Sequence, residues 1–252
     1  MKKIIHLSDL HLGYENLEER FRDMLARLVF HKTPAEDYVV VITGDLVENG
    51  SDPMQFDKAR FYIDHLTENG FPVLVVPGNH DYGPGSLGNS ANVAKFKKAF
   101  FGDAEMMYPK LDIIENMAFI GLDSMAEELH WYDRLFAEGE LGEAQLRRLQ
   151  DLLNHDSVNK CAATIIYLHH HPFHPLMFHQ LKDTDKFREV LADHRVDVLL
   201  FGHNHEGQIW NGGWGISRAY DGGTSTAKDG KPCPHRIINL DQSPAFDYDA
   251  RF

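Results

Sequence analysis

The 252-residue sequence predicts an α/β protein in which parallel strands are joined by crossover helices. Three observations predict it. Short β-branched runs alternate with stretches of helical periodicity. The runs end on Gly, Pro or Asp. The first five elements read β-α-β-α-β, an order that calls for parallel strands.

The elements follow in order. "KKIIHL" is a short apolar run, read as a first strand. In "ENLEERFRDMLARLVFHK", Leu17, Phe21, Met24, Leu25, Leu28 and Val29 share one helical face, and Glu15 and Glu18 suit its N-terminal turn. "DYVVVITGDL" is a buried strand closing on Gly44 and Asp45. "QFDKARFYIDHLTENG" is a helix with Phe56, Ala59, Ile63 and Leu66 on one side and Gly70 as its stop. "FPVLVVPGNHD" is a third buried strand, followed by the glycine-rich loop "YGPGSLGNS". "AKFKKAFFG" reads as a helix, and "DIIENMAFIGLDS" as a hairpin turning near Glu115 and Asn116. "GEAQLRRLQDLLNH" is a helix with Leu146, Leu149, Leu152 and Leu153 inward. "CAATIIYLHHH" is a strand, "DKFREVLADH" a helix and "VDVLLFGHNH" another strand. Gly207 to Leu240 is expected to be a meander, and "DQSPAFDYDARF" (241–252) a tail. No repeat, linker or composition break appears, so residues 1–252 read as a single domain.

Bulk properties narrow the function. A chain of this length with 43% hydrophobic residues can bury roughly three quarters of its unfolded surface. The net charge of −13 argues against binding nucleic acid through its phosphates. Cys161 and Cys233 form no CxxC pair or metal-type spacing and read as buried thiols in a reducing compartment. Asp9 interrupts the first apolar run too early for a signal-peptide core. No run approaches the ~18 apolar residues of a membrane span. The expected location is therefore cytoplasmic. The sequence does not fix the oligomeric state, and a homo-oligomer is compatible with it.

Residues of metal-ligand type fall at strand ends. They are Asp9 and His11 in "SDLH", Asp45, then Asn79, His80 and Asp81 in "GNHD", the triplet His169–His171, and His203 and His205 in "GHNH". In open α/β sheets the ligand crevice lies at the carboxyl ends of strands. Each element alone is weak, since an Asp after a strand commonly makes a turn or helix cap. Five in this order leave little room for a purely structural reading. Asp, Asn and His without Cys make a mixed oxygen and nitrogen set, suited to Mn²⁺, Fe²⁺/Fe³⁺, Co²⁺ or Zn²⁺. The donors are too many for one ion. Two ions sharing a carboxylate would use them, an arrangement that clamps both oxygens of a displacement at phosphorus.

The motifs "DLH", "GD", "GNHD", "HHP" and "GHNH", spanning Asp9 to His205, resemble those of the calcineurin-like metallophosphoesterases. The resemblance implies a four-layer αββα sandwich of two mixed sheets flanked by helices. It implies two divalent metal ions. Asp9, His11 and His205 would hold the first, Asn79, His170 and His203 the second, and Asp45 would bridge them. His80 would contact the phosphate and protonate the leaving oxygen, with Asp81 orienting it. A hydroxide activated between the metals would attack phosphorus in line. If strand alternation ran through the triplet, His169 and His171 would face away from His170, leaving His169 packed in the sheet.

"HLSDLHLG", "VPGNHD" and the "GELGEAQLRRLQDLL" helix resemble the small phosphodiesterase branch, which acts on cyclic nucleotides and glycerophosphodiesters. The loops around Tyr82–Ser90 and Phe173–Thr184 would shape the substrate site. Tyr82, Phe173, His174, Met177, Phe178 and His179 are candidates for an aromatic wall, and Asn79, His80 and Tyr82 for substrate contacts. A phosphomonoesterase or nuclease of the same family is the alternative. The resemblance to double-strand-break repair nucleases is weaker, because those carry a further DNA-binding domain. A non-catalytic scaffold, such as the retromer subunit with this fold, is disfavoured because every ligand position is filled.

Overall fold

The computed structural model describes residues 1–85, 89–125, 139–175, 180–231 and 235–250. The chain begins with β1 (Lys3–Leu7), α1 (Leu17–His31), β2 (Tyr38–Thr43), α2 (Pro53–Glu68) and β3 (Val73–Val76). It continues through α3 (Ser90–Phe101), β4 (Lys110–Ile114), β5 (Met117–Gly121), α4 (Glu143–Leu153), the short α5 (Asp156–Asn159) and β6 (Ala163–Tyr167). It ends with α6 (Thr184–Ala192), β7 (Val198–Phe201), β8 (Arg218–Asp221), β9 (His235–Ile238) and β10 (Tyr248–Ala250).

Among the described residues the strands form two five-stranded mixed sheets, ordered β10-β9-β1-β2-β3 and β4-β5-β6-β7-β8. β1, β2 and β3 are mutually parallel. So are β5, β6, β7 and β8. Side-chain alternation explains the layers. Val39 and Val41 of β2 join Phe119, Ile165, Val198 and Leu200 in the core between the sheets. Val40 and Ile42 face the other way, onto Phe21, Leu25 and Leu28 of α1 and Phe56 and Leu66 of α2. Ile166 and Leu199 likewise meet Leu146 and Leu149 of α4 and Phe187 of α6. Each such apolar side chain stabilises the fold by about 1.5–3 kcal/mol when fully buried. The result is the αββα sandwich. No helix among the described residues is long and apolar enough to cross a membrane.

Local chemistry sets the helix ends. Asp52 caps α2 by accepting from the Met54 N–H, with Pro53 in the first turn, where its missing N–H costs nothing. Gly70, at φ 90°, follows α2 where only glycine adopts that backbone without strain.

Two expectations at the C-terminal end are corrected. Gly207 to Leu240 is not a meander. β8 completes the second sheet beside β7, and β9 crosses to the first sheet and pairs antiparallel with β1. Residues 248–250 are not a tail but the edge strand on β9.

Candidate metal centre

The candidate ligands sit where the sequence predicts, at the C-terminal ends of β1, β2, β3, β6 and β7. Asp9, His11, Asp45, His203 and His205 all have positive φ, between 47° and 75°. For residues other than glycine this costs about 1 kcal/mol or more each, so the surroundings must hold them there. Strain of this kind gathers at functional sites.

Two groups of donor atoms converge on Asp45. In the first, His205 Nε2 lies 3.1 Å from Asp9 Oδ1 and 3.1 Å from His11 Nε2. His11 Nε2 lies 3.7 Å from Asp45 Oδ2. In the second, Asn79 Oδ1 lies 3.0 Å from His169 Nε2 and 3.1 Å from His203 Nδ1. His169 Nε2 is 3.5 Å from the same Asp45 Oδ2. Asp45 Oδ1 is turned away and accepts from the His80 backbone N–H at 2.9 Å. One oxygen of Asp45 thus faces both groups.

The motif glycines follow from this crowding. A Cβ on Gly78 would run into Asp45 Oδ1, and one on Gly202 into Ser8 Oγ and Asp9 Oδ2. The glycines of "GN" and "GH" are where another motif's carboxylate lies against backbone.

Neighbours fix which atom each ligand presents. The Asn79 amide donates to the Gly85 carbonyl at 3.0 Å, which turns its oxygen inward. His169 Nδ1 donates to the Thr43 carbonyl at 2.8 Å, leaving Nε2 free to face Asp45. His11 Nδ1 lies 2.8 Å from Glu48 Oε2, which Lys228 Nζ also reaches at 2.7 Å. Ser8 Oγ donates to Asp9 Oδ2, which also accepts from the His203 N–H at 3.1 Å, leaving Oδ1 for the centre. Outer partners of this type orient metal-binding histidines and carboxylates.

The charge balance fits a cation. Burial alone would raise the Asp9 carboxyl, but the His205 hydrogen bond and the charges of His169 and His205 hold it at about 2. Burial would likewise raise Asp45, and the charges of His169 and His80 hold it well below the usual range. Burial would lower His169, yet the charge and hydrogen bond of Asp45 raise it to about 10. Burial holds His203 at about 3, a neutral imidazole with a lone pair to give. Two buried carboxylates draw positive charge to this point, which His169 meets by holding a proton, beside the neutral His203 nitrogen and the Asn79 amide oxygen. Asp, Asn and His donors of this kind suit borderline divalent ions.

Three sequence expectations change. His169, not His170, faces Asp45 and Asn79. β6 ends at Tyr167, so strand alternation stops before the triplet and cannot assign its faces. His170 has a ring nitrogen within 4.8 Å of those of His169 and His203, but its Nδ1 bonds Ser124 Oγ at 2.7 Å. His171 is buried against Phe201 and Trp210, and its Nδ1 accepts from the Phe173 N–H at 3.0 Å.

Asp81 does not orient His80. It accepts from the Val47 and Gly78 N–H groups at 3.1 and 2.8 Å, tying the loops after β2 and β3 together. Burial and the charge of Asp45 push its carboxyl up to about 8. His80 Nδ1 instead donates to the Glu48 carbonyl at 2.7 Å. A His80 ring nitrogen lies within 4.8 Å of donor atoms of His11 and Asp45, and Gly85 packs beside Nε2 so closely that a Cβ there would lie 2.7 Å away.

Tyr82 is no substrate contact. It is buried, packs on Phe96, and donates to Asp123 Oδ2 at 2.6 Å. Of the other aromatic candidates, Phe173 packs on Trp214, and His174 lies 3.5 Å from Glu206. Met177, Phe178 and His179 lie outside the described residues, as does Cys233. Cys161 is a buried free thiol.

Sequence reasoning missed Ser8, Thr43, Glu48, Ser124 and Lys228. Ser8 and Thr43 adjoin motifs and could have been suspected. Glu48 and Lys228 carry no local signal, because Lys228 meets Glu48 across 180 residues and His11 across 217.

Residues 2–207 match the calcineurin-like phosphoesterase family, to which the chain belongs. The chain is 27% identical over 227 residues to the 3′,5′-cyclic adenosine monophosphate phosphodiesterase CpdA of Haemophilus influenzae, covering 83% of this chain and 73% of that protein. Similar folds include TT1561 of Thermus thermophilus, with TM-score 0.58, 14% identity and 99% of each chain covered. The phosphopantetheinyl hydrolase PptH of Mycobacterium tuberculosis has TM-score 0.52 at 14% identity, covering 96% of this chain and 98% of that one.

Proposed function

We propose that this phosphoesterase is a phosphodiesterase of small substrates, with cyclic nucleotides first among them and glycerophosphodiesters second, working with two divalent cations in a reducing cytoplasm. In this reading Asp9, His11 and His205 hold one cation, and Asn79, His169 and His203 hold the other. Asp45 bridges them. The observation that carries the reading is the single oxygen, Asp45 Oδ2, lying 3.7 Å from His11 Nε2 and 3.5 Å from His169 Nε2. The relative that hydrolyses cyclic AMP supports the substrate class.

Bound there, the cations would acidify water and offset charge on the phosphoryl oxygens. The chain supplies the rest. His80, fixed through Nδ1, offers Nε2 to hold the phosphate and give a proton to the departing oxygen. The two glycine approaches keep the carboxylates in place without side chains intervening. Asp81 braces the loop that carries Asn79 and His80.

The test is metal analysis followed by a substrate screen with Mn²⁺. It compares bis-p-nitrophenyl phosphate, cyclic nucleotides, glycerophosphodiesters, dinucleotides and monoesters. The expected outcome is two ions per chain and preference for diesters. A protein that holds no metal and cleaves none of these would defeat the enzyme reading. Preference for monoesters or dinucleotides would move it to the phosphatase or nuclease alternative. His80→Ala is expected to keep both ions and to lose about 100-fold or more in diester turnover.

A further inference from the structure

The segment between β8 and β9 lies outside the family match, yet it runs directly along the first ligand loop. Ser225 N–H donates to the Ser8 carbonyl at 2.9 Å, and Ser225 Oγ accepts from the Ser8 N–H at 3.0 Å. Thr224 Oγ1 donates to the Asp9 carbonyl at 3.0 Å. Thr226 Oγ1 donates to the Leu10 carbonyl at 3.0 Å. Lys228 Nζ comes within 3.1 Å of His11 Nδ1. Thr224 and Thr226 are buried. Arg20 of α1 holds the segment from outside, donating to the carbonyls of Thr226 and Ala227 at 3.3 and 3.0 Å.

The end of β2 grips the same loop from the other side. Asp9 N–H donates to the Gly44 carbonyl at 3.1 Å, and His11 N–H to the Asp45 carbonyl at 2.9 Å. The Ser8–Asp9 peptide group is therefore held at both ends, by Ser225 and Gly44. The Leu10–His11 group is also held at both ends, by Thr226 and Asp45. These are the peptide groups whose orientation sets φ at Asp9 and His11, and both residues are left-handed, at 52° and 47°. A strained backbone persists only where its surroundings over-determine it.

We propose that Thr224 and Thr226 are positioning residues. Their hydroxyls clamp the left-handed Asp9–His11 loop, so that Asp9 Oδ1 and His11 Nε2 stay aimed at His205. The proposal rests on the reading that these three residues hold one of the two cations. It assigns the clamp to that half of the centre alone, since no contact from Thr224 or Thr226 reaches Asn79, His169 or His203 among the described residues.

The test is Mn²⁺ titration by calorimetry of the full chain, stripped of metal, at a temperature well below unfolding. Thr224→Val/Thr226→Val keeps side-chain shape and removes both donors. Its dissociation constant is expected to rise about 10-fold or more at one site, while the other stays unchanged. Thr224→Ser/Thr226→Ser should restore the wild-type constants. A merely structural role would lower the melting temperature and leave both constants of the folded protein alone, which would overturn the proposal. So would a loss that serine does not reverse. A wild-type chain that binds no Mn²⁺ would instead overturn the metal reading, and this proposal with it. Where the double valine variant does not fold, Thr226→Val and Thr226→Ser give the same comparison.

Discussion

Around Asp45 the centre has two halves made of the same kinds of donor and held by different means. In the half made of Asp9, His11 and His205, left-handed residues of the D-x-H and H-x-H motifs turn alternate side chains to one point. Hydroxyls from Thr224 and Thr226 and the Glu48–Lys228 pair hold that loop. In the half made of Asn79, His169 and His203, each donor comes from a separate loop. Backbone carbonyls select the atom presented, that of Gly85 for Asn79 and that of Thr43 for His169. The three donors that the family resemblance implies for the first half lie together in the structure. In the second half the donors depend on which carbonyl each side chain meets.

Four measurements would break or sharpen this contrast. Asp45→Asn acts on both halves and has the largest effect. It should weaken both cations, by about 100-fold or more, beyond what outer partners cost. Retention of two ions per chain would show that Asp45 is not the bridge. His169→Ala should take the bound metal from two ions to one, while His170→Ala keeps two. The reverse result would return the second half to His170 and dismiss the Thr43 carbonyl as its selector.

The third measurement concerns His6, which lies behind the first half and bonds Thr43 Oγ1 at 2.9 Å. Burial, aided by the charge of Arg236, lowers it to about 3. The unfolded chain binds a proton near pH 6.5 that the folded chain refuses, so stability is lost as pH falls from there toward 3. His6→Gln should flatten that slope by one proton, about 1.4 kcal/mol per pH unit, in urea titrations of metal-free protein. An unchanged slope would show that His6 is already protonated in the fold.

Tyr82→Phe touches neither half and should be smallest. It removes the hydrogen bond to Asp123 and costs about 1.5–3 kcal/mol of stability, with diester KM unchanged. A tenfold rise in KM would restore Tyr82 to the substrate.

Much of this was legible in advance. The helical faces of α1, α2 and α4 are written in periodicity, because an apolar stripe must be buried whatever it packs against. Asp9, His11, Asp45, Asn79, His203 and His205 stood out because each follows a strand, and strand ends of parallel sheets share one edge. The misreadings have one cause. The resemblance implied His170, and alternation would separate it from His169 only if β6 ran through the triplet, whereas the strand ends at Tyr167. Asp81 and Tyr82 lie in the motif's wake, but their partners, Val47 and Asp123, are set by packing between loops.

The sequence by itself determined the helical faces, the edge on which the chemistry gathers and the kinds of donor present, since these depend on local periodicity and strand ends. Only the tertiary structure decided which triplet histidine faces Asp45, what orients His80, and that Thr224, Thr226 and Lys228 meet the first ligand loop. Those depend on contacts between residues up to 217 positions apart, and no local pattern encodes where distant backbone carbonyls will lie.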